Sequence, residues 1–212
     1  KALAAAGFEA AVFDARIEPL PSLEEVDGLY ITGSHAMVSD AEPWSEALKP
    51  WLREAMERNL AILGVCYGHQ LMAAALGGVS DYHPAGRESG THEITLTRAG
   101  REDVLLGQLP ERFPAQLTHA QSVLEAPPGA VVLAHNAHDA YQALRYGPRQ
   151  WSVQFHPEFT AEVMRAYLAH QVDKLRDQGQ APEALLAGVT ATPEASSLLV
   201  RFAAAVASDS PS

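Results

Sequence analysis

Short apolar runs alternate with amphipathic segments in the first third of the chain. Residues 60–65 form a continuous apolar run, which is typical of a β-strand buried on both faces. Between Trp44 and Met56 apolar residues recur every three or four positions, which predicts a helix with one apolar face. Pro50 lies inside that pattern and predicts a kink or a division into two short helices. This alternation predicts an α/β fold with a mixed, largely parallel central sheet flanked by helices.

Other apolar runs, bounded by Gly and Pro, predict the remaining elements. Further strands are expected at residues 9–14, 29–32, 94–97, 131–134, 141–145 and 151–155, and helices at residues 1–6, 70–76, 160–176 and 193–207. Residues 179–187 are expected to be a loose connection, and residues 208–212 a disordered tail.

The domain organisation is predicted to be simple. We treat residues 1–212 as a single domain in which residues 178–212 form a C-terminal helical extension. No apolar strand precedes the first predicted helix, so we expect an N-terminal strand to be missing from this numbering.

Charge and cysteine content narrow the possible functions. The chain has 26 acidic and 15 basic residues and a net charge of −11, which argues against a nucleic-acid partner. No run approaches the roughly 18 apolar residues of a membrane span, so no membrane association is expected. The single cysteine excludes an internal disulfide and is consistent with a reducing, cytoplasmic location.

The first candidate for chemistry is the segment Gly64-Val-Cys66-Tyr-Gly68-His-Gln70. It lies where a buried strand meets a helix, and its flanking glycines permit a tight strand–turn–helix elbow. Such an elbow exposes the thiol at a helix N-terminus, where a thiolate is favoured. The alternative is a Gly-rich turn that contains an inert buried thiol.

The second candidate is His156-Pro157-Glu158, at the end of the last predicted strand. A thiolate nucleophile needs a proton shuttle, and a carboxylate two residues away can orient the imidazole. The alternative is a histidine at a strand end beside a solvated glutamate.

Together, the two segments resemble the signatures of the class I, or triad, glutamine amidotransferases: a G-x-C-x-G-x-Q elbow and a late H-P-E segment. The resemblance is strongest to the glutaminase domain of GMP synthase. It implies that Cys66 is the nucleophile, that His156 transfers protons and that Glu158 orients His156. It implies no cofactor and no metal.

Further segments extend the resemblance. Residues 27–34 resemble the strand and oxyanion loop of the family, although Gly33-Ser34-His35 stands where the family often has Gly-Gly-Pro. Residues 86–90 resemble the segment that follows the nucleophile helix. By resemblance, backbone N–H groups of Ser34 and Tyr67 form the oxyanion hole. The substrate-binding residues implied in the same way are Gly33, Gln70, His119, Ala120 and Gln121.

Three functions remain open. The first is glutamine hydrolysis that supplies ammonia to a separate synthetase partner, because the sequence contains no ATP-binding loop motif. The second is hydrolysis of another γ-glutamyl compound without ammonia transfer. The third is a catalytically silent binding module.

Other histidines allow two interpretations each. His135, His138 and Asp139 have a spacing that suits metal ligands or a solvated turn. His69 is expected to face an ammonia exit or a partner, or else the surface. His119 is expected to line the glutamine pocket or to hydrogen-bond loop backbone.

Overall fold

A computed structural model describes residues 9–207, so the predictions for residues 1–6 and 208–212 lie outside the described residues. The strands are β1 (Gly28–Ile31), β2 (Ala61–Val65), β3 (Val79–Tyr82), β4 (Glu88–Leu96), β5 (Arg112–His119), β6 (Gln121–Glu125), β7 (Val131–His135), β8 (Ala143–Gly147) and β9 (Gln150–Val153). The α-helices are α1 (Pro43–Glu57), α2 (Tyr67–Ala75), α3 (Arg98–Arg101), α4 (Ala161–His170), α5 (Val172–Asp177), α6 (Pro182–Ala187) and α7 (Pro193–Ala207), and a 3₁₀ turn spans Val38–Asp40.

A seven-stranded sheet with the order β1-β2-β9-β8-β7-β4-β5 forms the centre of the molecule. The β1–β2 and β2–β9 pairs are parallel, and the remaining neighbours are antiparallel. Strands β3 and β6 form a separate antiparallel pair. The predicted mixed α/β fold is therefore confirmed, with its parallel pairing concentrated around β2, the strand that leads into α2.

Strand β2 is buried on both faces, as its sequence predicts. Leu63 packs in a cluster that includes Trp151 of β9 and Phe202 of α7. Ile62 points to the opposite cluster, which contains Leu52 of α1. Each such side chain contributes roughly 1.5–3 kcal/mol by leaving water. Burial on both faces holds the end of β2, and the turn that follows it, in a fixed position.

The predicted strand at residues 9–14 is wrong. These residues are neither strand nor helix, and Val12 and Phe13 are 90% and 46% exposed. An apolar run becomes a strand only where a neighbouring strand completes its hydrogen bonds and another layer covers its side chains. Within the described residues, no strand pairs with this segment.

Two of the predictions about helices are wrong, and the structure decides whether the helix that contains Pro50 is divided. Residues 179–187 are not a loose connection, because they contain α6, whose Leu185 and Leu186 pack against Met164 and Leu168. The helix expected at residues 160–176 is divided at Gln171 into α4 and α5. Helix α1, by contrast, continues through Pro50 rather than dividing into two. None of the helices within residues 9–207 has the length and apolar character needed to cross a bilayer.

Candidate active site

Cys66 forms the turn between β2 and α2. Its backbone has φ 52° and ψ −101°, and such a positive φ is one that non-glycine residues rarely adopt. Such strain costs on the order of 1–3 kcal/mol and persists only where the surroundings impose it. The Cys66 N–H donates to the Val153 carbonyl at 2.9 Å, and its carbonyl accepts from the Gln70 N–H at 3.1 Å. Strand and helix together therefore hold the turn in this conformation.

The glycines on either side of Cys66 allow α2 to approach the sheet closely. A Cβ added to Gly68 would lie 2.4 Å from the Ile31 carbonyl oxygen. A Cβ added to Gly64 would lie 2.5 Å from the Met72 sulfur and 2.8 Å from backbone of Gly68. The predicted tight elbow is therefore confirmed, and it depends on the absence of side chains at these two positions.

His156 and Glu158 follow strand β9 and are joined by a hydrogen bond. His156 Nδ1 lies 2.7 Å from Glu158 Oε1, and the Tyr30 hydroxyl donates to Glu158 Oε2 at 3.5 Å. The His156 ring stacks on Phe159 with 4.3 Å between ring centres. Its Nε2 is buried and makes no hydrogen bond with any residue that the structure describes. This nitrogen is therefore available to a substrate or to the thiol.

Gly33 lies where Cys66 and His156 converge. A Cβ added to Gly33 would lie 3.1 Å from His156 Cε1 and 3.7 Å from Cys66 Cβ. The position that a Cβ of Gly33 would occupy is therefore within 4 Å of both the Cys66 and the His156 side chains. The thiol and the imidazole are 90 residues apart in the sequence, and the fold brings them to the same place.

The electrostatics of this pair favour a thiolate next to an imidazolium. Burial alone would raise the pKa of Cys66, but the charge of the neighbouring His156 outweighs it, and the pKa falls below its usual value. Burial alone would lower the pKa of His156, but Cys66 and Glu158 raise it to about 10. The thiolate, which is the reactive form of a cysteine, is therefore favoured at Cys66.

A cleft opens beside Cys66, and most of the sequence-predicted binding residues line it. These residues are Ser34, Tyr67, Gln70, His119, Ala120 and Gln121. Gly33 lies next to the same cleft through its approach to Cys66 and His156. The fold thus brings together the predicted oxyanion and substrate residues, which are far apart in sequence.

The amide side chains of Gln70 and Gln121 are largely occupied within the protein. Gln70 Nε2 donates to the Gln121 carbonyl at 2.6 Å and to Gln154 Oε1 at 2.9 Å, so both of its hydrogens are used. Gln121 Nε2 donates to Ser39 Oγ at 2.5 Å, and its Oε1 accepts from the Ser39 N–H at 3.4 Å. The group that Gln70 can offer to a substrate is therefore Oε1, which is an acceptor.

His119 lines the cleft and also contacts backbone. It lines the cleft, and its Nδ1 lies 2.9 Å from the Gln121 carbonyl. Its Nε2 lies 2.9 Å from Glu88 Oε2, and Glu88 also accepts from Asn136 at 2.6 Å and from Gln142 at 3.1 Å. Sequence reasoning missed Glu88, because the sequence does not show that a glutamate at the start of a strand is buried.

The ionisation of Glu88 and His119 follows from this geometry. Burial would raise the pKa of Glu88, but the hydrogen bond and charge of His119 lower it. Burial would lower the pKa of His119, but Glu88 raises it above its usual value. His119 faces acceptors from both ring nitrogens, which also favours an imidazolium.

Comparisons with known proteins identify the family. Residues 1–175 match the family model described as glutamine amidotransferase class-I. The chain belongs to this family. It is 32% identical over 144 residues to one of the subunits of the glutamine-hydrolyzing GMP synthase of Methanocaldococcus jannaschii, covering 67% of this chain and 70% of that protein.

Two further relatives of this amidotransferase differ in what their names indicate. Gamma-glutamyl peptidase 5 of Arabidopsis thaliana is 27% identical over 186 residues, covering 86% of this chain and 74% of that protein. The crystal structure of a glutamine amidotransferase from Methylobacillus flagellatus superposes with a TM-score of 0.81 at 24% identity, covering 97% and 85% of the two chains, which establishes the shared fold. The family is therefore shown, and the particular reaction stays a matter for proposal.

Arg87, which lines the cleft of the amidotransferase, is a second residue that sequence reasoning missed. Its Nη2 donates to Thr118 Oγ1 at 2.8 Å and to the Tyr167 hydroxyl at 3.3 Å. Arg87 and Glu88 both belong to the segment of residues 86–90, which was recognised only as a resemblance. The family resemblance of this segment therefore pointed to the right part of the chain, but it did not indicate a role for either residue.

The other histidines of the amidotransferase were only partly anticipated. His69 is fully buried and lies 2.7 Å from Ser152 Oγ, so the surface alternative is wrong. Burial lowers the pKa of His69 to about 4, which leaves the ring neutral. Residues 135–139 form a turn in which Asn136 Oδ1 accepts from two backbone N–H groups. Asp139 is 1% exposed, whereas His135 and Ala137 are exposed, so the turn is solvated in part. Residues 9–207 contain no cluster of three or more His, Cys, Asp or Glu side chains suited to a metal ion.

Proposed function

We propose that this amidotransferase hydrolyses the side-chain amide of glutamine through a Cys66 thioester and supplies the ammonia to a separate synthetase. The observation that carries the proposal is the strained Cys66 elbow, whose thiol shares its surroundings with the His156–Glu158 pair beside Gly33. Membership of the class-I family supports the same chemistry. A lone thiol nucleophile is suited to a reducing compartment, so the proposal includes a cytoplasmic location.

In the first half of the reaction, the Cys66 thiolate attacks the amide carbon of glutamine. The carbonyl oxygen becomes an oxyanion, which accepts hydrogen bonds from the backbone N–H groups of Ser34 and Tyr67. Each such donor is typically worth about 10²–10³ in rate. His156 gives its Nε2 proton to the amide nitrogen, so the C–N bond breaks, ammonia leaves and a γ-glutamyl thioester remains.

In the second half, His156 removes a proton from water as the water attacks the thioester. The tetrahedral intermediate collapses, the C–S bond breaks, and glutamate and the Cys66 thiolate are released. Glu158 holds His156 in the orientation that both proton transfers need. Glutamine and water are thus converted to glutamate and ammonia with no oxidant and no cofactor.

The ammonia acceptor is proposed on a separate basis. The relative in Methanocaldococcus jannaschii is named as one subunit of a glutamine-hydrolyzing GMP synthase, which supports a synthetase partner here. The proposal predicts that the partner increases glutamine hydrolysis, because many such glutaminase units are weak alone. Ammonia release should therefore be measured with and without the synthetase.

A second candidate is hydrolysis of another γ-glutamyl compound without transfer of ammonia. The identity with gamma-glutamyl peptidase 5 favours it, and the same thioester chemistry would serve. A panel of γ-glutamyl amines and peptides, compared with glutamine by kcat/KM, separates the two. A peptide preferred over glutamine by tenfold or more would replace the first candidate with the second.

The test of the nucleophile is Cys66→Ala, with the exposed His170→Ala as control. Cys66→Ala should abolish ammonia release while glutamine still binds, and His170→Ala should leave release unchanged. The electrophilic glutamine analogue 6-diazo-5-oxo-norleucine should label Cys66, as read by mass spectrometry. Turnover that survives in Cys66→Ala refutes the assignment. Failure of the unchanged protein to label would favour the silent binding module.

A further inference from the structure

Strand β4 is paired along most of its length on one edge only. On one edge it pairs with β5 from Glu88 to Thr95. On the other edge β7 reaches only Thr95 and Leu96, because β7 ends at His135. Within residues 9–207, the part of β4 before Thr95 therefore has an open edge. Between Ser89 and Glu93 this edge is roughly 14 Å long.

The backbone of β4 directs hydrogen-bonding groups to the open edge. Successive residues of an antiparallel strand direct their N–H and C=O groups to alternate edges. The Leu96 N–H donates to a carbonyl on the β5 side at 2.8 Å, and the Thr97 N–H donates to a carbonyl of β7 at 2.9 Å. Odd-numbered residues of β4 therefore face away from β5, so the N–H and C=O groups of Thr91 and Glu93 point to the open edge.

A groove of about 860 Å³ runs along this edge. Ser89 and Glu93 line it from one face of the sheet, and Glu88 and His92 line it from the other. Side chains from both faces can line one cavity only where that cavity lies at the edge of the strand. Residues 180–185, which lead into and form the start of α6, and residues 135–138 complete the lining.

Side chains, and not a strand, meet the first two carbonyls that face the groove. The Arg87 carbonyl accepts from Gln180 Nε2 at 2.5 Å, and the Ser89 carbonyl accepts from His92 Nε2 at 2.8 Å. Both residues are odd-numbered, which agrees with the direction derived from the ladder. The backbone groups further along the edge are the ones that a bound strand would pair with.

Three side chains that line the groove carry polar atoms without a partner. Ser89 is 2% exposed, and its Oγ makes no hydrogen bond with any described residue. The same holds for His138 Nε2 and Arg87 Nε, which are also buried. A buried polar group without a partner is unfavourable, so these atoms favour a ligand that supplies hydrogen-bond acceptors.

The charge of the groove points to an acidic ligand. Its two carboxylates already have basic neighbours, because Glu88 lies 2.9 Å from His119 and Glu93 lies 3.5 Å from Arg112. Arg87, by contrast, has no carboxylate oxygen within 4.0 Å in the part of the chain that the structure describes. A carboxylate is therefore the group that complements the groove.

We infer that an extended acidic segment of a partner polypeptide binds in this groove and adds a strand to the open edge of β4. Its backbone pairs with Thr91 and Glu93, and an acidic side chain meets Ser89 and Arg87. A small anion would satisfy the side chains but not the row of backbone groups. Arg87 also lines the cleft beside Cys66, so the segment lies next to that cleft. The inference stands apart from the proposed function, because it uses no catalytic residue.

The first experiment uses the full chain and the peptide acetyl-Thr-Val-Glu-Val-Thr-amide, whose length matches the open edge. Hydrogen exchange followed by NMR should show that the peptide slows exchange of the Thr91 and Glu93 amides at least tenfold. A matched peptide with Lys in place of Glu should bind at least tenfold more weakly. Unprotected amides, or equal binding of the two peptides, overturn the inference.

The second experiment removes one backbone donor. The Glu93 N–H points away from β5, so Glu93→Pro removes a hydrogen bond to the peptide and none to β5. Peptide affinity should fall at least tenfold, whereas Glu93→Gln, which keeps the N–H, should bind at least as tightly as the unchanged protein. Equal affinity of the two variants overturns the added strand. Displacement of the peptide by inorganic phosphate, with both amides unprotected throughout, would show an anion site only and also overturns it.

Discussion

Glu88 and His119 form a pair from which water is almost excluded: their side chains are 4% and 1% exposed, and Oε2 lies 2.9 Å from Nε2. The two residues are direct partners in the register of β4 and β5, so their side chains share one face of the sheet. His119 also lowers the pKa of Cys66 through its charge, although less than His156 does. Glu88 therefore stabilises the positive charge of His119, and that charge in turn lowers the pKa of the Cys66 thiol.

Replacing Glu88 should destabilise the protein strongly. Glu88→Gln removes the charge that compensates a buried imidazolium, and breaking a buried pair typically costs roughly 3–5 kcal/mol. The free energy of unfolding, measured with urea at pH 6, should fall by that amount. Glu93 lies on the same strand, but its ion pair with Arg112 is exposed. Glu93→Gln should therefore lower the free energy of unfolding by less than about 1 kcal/mol. Equal effects of the two variants would contradict a special role for Glu88.

The difference in unfolding free energy between the unchanged protein and Glu88→Gln should depend on pH in a definite way. The pKa of Glu88 is lowered, so its contribution is present above the usual value of 4.5 and is lost as pH falls through the folded-state pKa. The pKa of His119 is raised, so its contribution is present below the usual value of 6.5 and is lost as pH rises through the folded-state pKa. The gap in stability between the unchanged protein and Glu88→Gln should therefore be widest between pH 4.5 and 6.5 and narrow on either side. A gap that is constant from pH 4 to 9 would exclude the ion pair.

Removing His156 should make Cys66 less reactive at neutral pH. Without the imidazolium, burial remains and raises the pKa of the thiol. Because each unit of pKa changes the thiolate fraction about tenfold, His156→Ala should slow iodoacetamide alkylation at pH 7 by at least tenfold. The rate profile should also shift to higher pH. His170→Ala, an exposed histidine on α4, is the control and should not move the profile.

Glu158 should affect turnover more than binding, because it contacts His156 rather than the proposed substrate. Glu158→Gln keeps the shape of the side chain but loses the charge that stabilises the imidazolium. We expect kcat to fall on the order of tenfold to a thousandfold, with KM changed less than threefold. Steady-state ammonia release measures both constants, and Glu162→Gln on the exposed first turn of α4 is the matched control. A rise in KM at constant kcat would instead assign Glu158 to substrate binding.

The elbow should not tolerate a methyl group at Gly68. The added Cβ would lie 2.4 Å from the Ile31 carbonyl oxygen and 2.9 Å from its Cβ, so backbone of β1 or α2 must move. Overpacking of this kind costs about 1–3 kcal/mol, which lowers Tm by several degrees. Labelling of Cys66 should slow as well, because the turn is displaced. At Gly188 the nearest atom would be 3.4 Å away, so Gly188→Ala should leave both measurements unchanged.

The sequence predicted features that depend on neighbours along the chain. The apolar run of β2, the glycines around Cys66 and the His156–Glu158 spacing are local, and the structure places each where the pattern predicts. The same local reasoning failed for residues 9–14 and for α6. Apolar residues were present in both segments, but burial by distant parts of the chain decided which of them became regular structure.

The sequence by itself determined the tight elbow at Cys66 and the identity of the residues beside it, because backbone strain and close packing depend on glycines at fixed spacing. Only the tertiary structure decided that Glu88 faces His119 and that Arg87 lines the cleft beside the thiol. The register of β4 against β5 creates the first relationship, and the packing of α4 against the cleft completes the second. Burial and hydrogen-bond partners arise from residues far apart along the chain, so they are properties of the fold and not of any local pattern.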